Sequence, residues 1–247
     1  MTPPQGQGVK LVALDMQEGE ANNVRRLFPQ RRMPAFDPFA QMDEYWMTPP
    51  AGFPPHSHQG FEAVIYVLSG ALHHSDTLGN DAVVLAGDAI HFTAGRGLTH
   101  SELPVDQGRT HALQLWIALP RADKQCSPDF QHAAAKSLPT LALAGGSGRV
   151  ITGPEAPLTV RNNVHFSDLS LEKKGRLTVQ IEPGHRGFVY VISGRLDTAG
   201  EALDPGEALL FSGVTELPLR ARKTARFALV TAPPLGEPIR QWGSYVS

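Results

Sequence analysis

The stretch GFEAVIYVLSGAL, beginning at Gly60, returns in altered form as GFVYVISGRL from Gly187, and LAGDAIHF (Leu85 to Phe92) returns as DPGEALLF (Asp204 to Phe211). This repetition constrains the fold more than any other feature, because one supersecondary unit written twice has to bury its apolar face twice. Each copy reads as a strand, a Ser-Gly turn, a second strand, a polar turn (DTLGND or DTAGEA) and a Gly-acid turn into a third strand. The runs AVIYVLSGAL, AVVLAGDAIHF, HALQLWIALP, RLTVQIEP, FVYVISGRL and EALLFSG are short, β-branched or aromatic, and bounded by Gly, Pro or Asp. The 24 glycines and 21 prolines, scattered over 247 residues, fit many short strands joined by turns. Helical periodicity is weak. SPDFQHAAAKSL, residues 127–138, is the best candidate for one or two helical turns, capped by Ser127 or Asp129. A duplicated all-β unit of roughly 100 to 120 residues follows, a size that suits a small barrel or a jelly roll. The expected division is 1–134 and 135–247, with CSPDFQHAAAKSLPTLALAGGSG as the connection.

The duplication supplies an internal control. Where the first copy has His56 and His58, the second offers IEPGHRGF, with His185 alone near the matching place. Where the first copy has GRGLTHSE, the second has GVTELPLR and no histidine. The fold therefore does not require His56, His58, His100 and Glu102. Both pairs are spaced i, i+2, so on a strand each pair projects from one face. Two such strands facing each other inside a barrel bring three imidazoles and a carboxylate to one point. That donor set suits Fe(II), Mn(II), Co(II), Ni(II), Cu(II) or Zn(II) rather than Mg or Ca, which prefer oxygen alone. Gly95 and Gly97 let the backbone turn sharply beside it. The bland alternative is solvated histidines in a loop.

Other features narrow the function class. A formal net charge of −2 provides no global field for nucleic acid or an anionic membrane, and the basic run RRLFPQRR (Arg25 to Arg32) reads as a solvated surface. The single cysteine, Cys126, rules out an internal disulfide framework and a cysteine-based zinc site. MTPPQGQGVK has no apolar core of the secretory kind, and no window approaches a membrane span, so a cytoplasmic location is expected. Glu62 reads as structural or supporting, because an offset of one residue on a strand turns a side chain to the opposite face. His73, His74, His91, His111, His132, His165 and His185 read as surface or satisfied core histidines, and Phe53, Phe61 and Trp116 as barrel packing.

PPHSHQGFEAVIYVLSGALHHSDTLGN followed by LAGDAIHFTAGRGLTHSE resembles the pirin family of iron-binding bicupins. DPFAQMDEYW, LQLWIALP, GHRGFVYVISGRL and PLGEPIRQWG extend the likeness, in order, over most of the chain. The resemblance implies an all-β bicupin, two tandem cupin-type barrels, with the metal in the first and none in the second. In the family the metal is held by the histidines of His-x-His and by the histidine and glutamate of HSE, here His56, His58, His100 and Glu102. It implies Fe(II) as the cofactor, with Mn, Co, Ni, Cu and Zn as alternatives. Two functions are implied. One is a quercetin 2,3-dioxygenase-like oxidoreductase, taking a small aromatic substrate and dioxygen, with Glu102 as catalytic base. The other is a non-enzymatic, redox-responsive regulator that binds a transcription factor or metabolic enzyme, without direct nucleic-acid or membrane contact. Departures are Gln59 where the family usually shows arginine, the ending GSYVS in place of the commoner GPFVMN kind, and a loose match over residues 121–180.

Overall fold

The computed structural model describes residue 3 and residues 6–105 and 108–247. Residues 1, 2, 4 and 5, within the stretch read for a leader, and residues 106 and 107 lie outside the described residues. Among the described residues the secondary structure is strand throughout, apart from one 3-10 turn at Ala135–Ser137. No helix is long and apolar enough to cross a membrane.

Two compact units form. One contains Leu14–Ser137 and Leu235–Ser247; the other contains Leu138–Pro234 and the described part of Met1–Ala13. The change of unit thus falls three residues beyond the expected 134, and each end of the chain belongs to the unit at the opposite end of the sequence. The physical reason is strand pairing. Gln7–Val12 adds to Glu207–Ser212 as an edge strand, with Gln7 opposite Ser212 and Val12 opposite Glu207. At the other end, Val246 is 3% exposed within the core of the Leu14–Ser137 unit.

In that unit a seven-stranded antiparallel sheet runs in the order Asp129–Ala133, Ala89–Thr93, Phe61–Ser69, Thr110–Ala118, Phe39–Met47, Asn22–Phe28, Leu14–Glu18. A second sheet has four strands, in the order Phe53–His58, Leu98–Pro104, Ala71–Asp76, Asp81–Leu85. Phe61–Ser69 (FEAVIYVLS) is buried on both faces except at Ser69, as the apolar run AVIYVL within it requires of a central strand. Phe61, Ile65, Phe92 and Trp116 fill the core between them, each buried side chain of this size contributing about 1.5–3 kcal/mol. The other unit holds a nine-stranded sheet around Val189, Val191, Phe211 and Phe227.

The helix expected at 127–138 is not formed. Asp129–Ala133 instead pairs antiparallel with Ala89–Thr93. The edge of that strand offers backbone partners that an isolated helical turn lacks, so tertiary pairing overrides local propensity. Asp88 fixes the turn, accepting hydrogen bonds from His132 Nε2 at 3.1 Å and the Ala135 amide at 2.7 Å.

Candidate metal centre

Phe53–His58 and Leu98–Pro104 do not face each other across a barrel. They lie side by side as antiparallel neighbours in the four-stranded sheet, with His100 opposite His56 and Leu98 opposite His58. Period two on each strand keeps both pairs on one face, while an irregularity between His100 and Glu102 shifts the register by one residue. The imidazoles of His56, His58 and His100 converge. Their ring centroids are 4.5 Å (56–58), 4.6 Å (56–100) and 4.9 Å (58–100) apart. Their ligand atoms all lie within 4.8 Å of one another, so the three could hold a metal ion.

Hydrogen bonding sets the direction of each donor. His56 Nδ1 donates to the Pro54 carbonyl at 2.8 Å, and His58 Nδ1 to the Ser244 carbonyl at 3.3 Å. Both rings therefore present Nε2 with its lone pair, as supporting carbonyls do at metal sites. His58 Nε2, both nitrogens of His100 and Glu102 Oε1 are buried without a hydrogen-bond partner. Leaving such groups unsatisfied costs about 1–3 kcal/mol each. Three neighbouring side chains with orphaned ligand atoms are what a bound transition metal satisfies, and imidazole with carboxylate is a fitting donor set.

Burial pushes His58 down to about 3, with the neighbouring His56 adding to the effect and the Ser244 carbonyl opposing it. His100 is held well below the usual imidazole range by burial and by the adjacent histidines, and His56 is lowered by burial. All three are thus neutral at pH 7, the form that ligates. Glu102 is pushed up to about 7 by burial, while the hydrogen bond from Tyr45 works to lower it. Tyr45 Oη donates to Glu102 Oε2 at 3.0 Å, and Glu102 Oε1 lies 3.5 Å from His100 Nδ1.

His56, His58 and Glu102 open onto a cavity of about 840 Å³, within the size range of small-molecule sites, about 300–1,000 Å³. Tyr45, Phe53 and Trp116 give it aromatic walls, and Ile239 to Ser244 close one side. Three of its charged side chains, Arg26, Asp43 and Glu18, are occupied with each other. Arg26 grips Asp43 through Nε at 2.9 Å and Nη2 at 2.7 Å, and also meets Glu18. Burial opposes the Arg26 charge, but Asp43 and Glu18 outweigh it and hold the guanidinium above its ordinary value. Gln41 donates to Asp43 at 2.7 Å and accepts from Gln241 at 2.9 Å. Aromatic, proline and amide groups make up much of the wall, and Arg26, Asp43 and Glu18 form an ion cluster within it.

Glu62 is spent elsewhere, accepting from His91 Nε2 at 3.0 Å, as its place on the opposite face implied. His73, His111 and His132 likewise meet Asp81, Glu44 and Asp88. His74 is different. It is fully buried, its ring centroid is 5.3 Å from that of His100, and with His100 and Glu102 it forms a second group able to hold a cation. On the strand ALHHSD, Leu72 and His74 turn inward together, but a lone histidine has no partner spacing in the sequence to mark it. Ser244 and Gln241 had no local signal, because their role depends on where the chain's last segment packs.

A family model described as Pirin matches residues 21–117, and one described as the Pirin C-terminal cupin domain matches residues 166–247. Pirin-like protein 2 of Arabidopsis thaliana is 32% identical over 96% of this chain and 78% of its own length. Pirin of Mus musculus is 31% identical over 96% of this chain and 86% of its own. A crystal structure of quercetin 2,3-dioxygenase from Acinetobacter baumannii covers 100% of this chain and 92% of its own, at a TM-score of 0.89 and 26% identity. The chain therefore carries the two cupin domains of a bicupin.

Proposed function

Because the chain belongs to the pirin family, we propose that it is a cytoplasmic, Fe(II)-dependent dioxygenase that opens a flavonol of the quercetin type at His56, His58, His100 and Glu102. The observation that carries this reading is the set of buried ligand atoms without partners, on His58, His100 and Glu102, beside a cavity with aromatic walls that His56, His58 and Glu102 line. The likeness to the Acinetobacter quercetin 2,3-dioxygenase supports the substrate class. A redox-active divalent ion held there supplies Lewis acidity toward adjacent enol and carbonyl oxygens and electron exchange with dioxygen.

The chain's own residues do the rest. Pro54 and Ser244 fix the tautomers of His56 and His58, so the Nε2 lone pairs stay aimed. Glu102 Oε1, when not ligating, accepts the substrate hydroxyl proton as general base while Tyr45 keeps Oε2 in place. Phe53 and Trp116 offer ring faces to a flat aromatic substrate, and the amides of Gln41, Gln114 and Gln241 offer partners for its hydroxyls. The lone free thiol of Cys126 accords with a reducing compartment.

Dioxygen uptake by anaerobically Fe(II)-loaded protein on adding quercetin tests the reading, with His100→Ala as control. Uptake that needs both iron and substrate, and is lost in the variant, is expected. No uptake at a confirmed one iron per chain overturns the oxygenase and leaves the regulator.

A further inference from the structure

His74 lies next to the centre yet has no part in the chemistry above. It faces Glu102 directly across paired strands, and Phe130 stacks on its ring at 4.5 Å and 16°. Asp76 Oδ2 accepts from His74 Nε2 at 3.3 Å, which leaves Nδ1 as the lone-pair nitrogen. Asp76 is anchored in turn by the Asn80 side chain and by the amides of Leu78 and Asn80. His74 Nδ1 is buried without a partner, as are Glu102 Oε1 and both nitrogens of His100. The ligand atoms of His74, His100 and Glu102 lie within 4.8 Å of one another, and the three residues are 0%, 1% and 1% exposed.

We propose that the centre offers a cation two alternative positions that share His100, an outer one set by His56 and His58 and an inner one set by His74 and Glu102. His100 makes this geometry available because its ring presents an unpartnered nitrogen on each edge. The two positions are exclusive, since a neutral imidazole carries its proton on one ring nitrogen and ligates through the other alone. They also differ in access. His56 and His58 line the cavity, whereas His74 and His100 do not. An ion in the inner position is withdrawn from substrate, so the inner position is a resting site and the outer one the working site.

The inference rests on the metal reading above, and Co(II), whose visible spectrum reports coordination, is the probe that separates the two. Wild type, His56→Gln/His58→Gln, and the same double variant with His74→Gln added are titrated with Co(II), with bound metal measured by mass spectrometry. The double variant is expected to keep one equivalent with a spectrum unlike that of wild type, and the triple variant to lose it. A folded double variant that binds no Co(II), or a triple variant that still binds it, overturns the inner position alone. Wild-type protein that binds none overturns the metal reading itself. Should circular dichroism show the double variant unfolded, His74→Gln alone carries the test. Co(II) release to a chelator should then be at least tenfold faster than from wild type, and an unchanged release rate overturns the inference.

Discussion

At the scale of single residues, the centre is defined by which atoms have been left without partners. Glu62 and Glu102 are both buried carboxylates in one unit, yet Glu62 is satisfied by His91 while Glu102 keeps Oε1 free. That difference separates a structural carboxylate from a chemical one. Glu102→Gln preserves size and an acceptor oxygen but cannot accept a proton. It is expected to retain the cation and to lose about 10²- to 10⁴-fold in turnover, measured as dioxygen uptake beside metal content. The proposed ligands His56, His58, His100 and Glu102 were picked out from the sequence because i, i+2 spacing on a strand fixes a shared face for each pair. His74 was not. A lone histidine carries no spacing, and only pairing with Leu98–Pro104 brings it opposite Glu102.

At the scale of elements, the duplicated Ser-Gly turn shows how much local chemistry a repeat preserves. Gly70 and Gly194 hold the same place in the two copies, with φ of +77° and +82°. A Cβ would approach the Arg109 carbonyl oxygen to 2.3 Å at the first and the Thr224 carbonyl oxygen to 1.9 Å at the second. Both contacts are with backbone and cannot relax cheaply. Gly70→Ala and Gly194→Ala should each cost ~2 kcal/mol or more. Gly79→Ala, where φ is +89° but nothing lies within 4 Å, should cost only ~1 kcal/mol, with thermal melts giving all three. Turns of this kind could be read from the chain because glycine declares a backbone conformation. Sheet neighbours could not. The facing arrangement expected for Phe53–His58 and Leu98–Pro104 and the adjacency found both satisfy period two, and only long-range register separates them. Residues 127–138 misled for the same reason, since the strand formed there depends on an edge contributed by Ala89–Thr93.

At the scale of the whole molecule, the crossing of the chain's two end segments is what the repeat concealed. Self-similarity suggests two consecutive units, but Gln7–Val12 belongs with the second and Leu235–Ser247 with the first. Val246 sits in the first unit's core, its amide donating to Gln59 and its carbonyl accepting from Lys124. The same carbonyl lies 1.9 Å from where a Cβ on Gly60 would be. Val246→Asp places an unpaired carboxylate in that core and should cost at least ~3 kcal/mol. It should weaken metal retention although the residue is remote in sequence from the His-x-His strand. Comparing bound metal with that of Val12→Asp, on a side chain 52% exposed, checks this. The crossing also orders events in time. As the polypeptide leaves the ribosome, the strands bearing His56, His58 and His100 appear early, but the carbonyl that aims His58 and the wall that closes the cavity arrive only after residues 138–234 have been made. Through that interval His58 lacks the acceptor that fixes its tautomer, so the arrangement of the centre is complete only once residues 239–244 have packed.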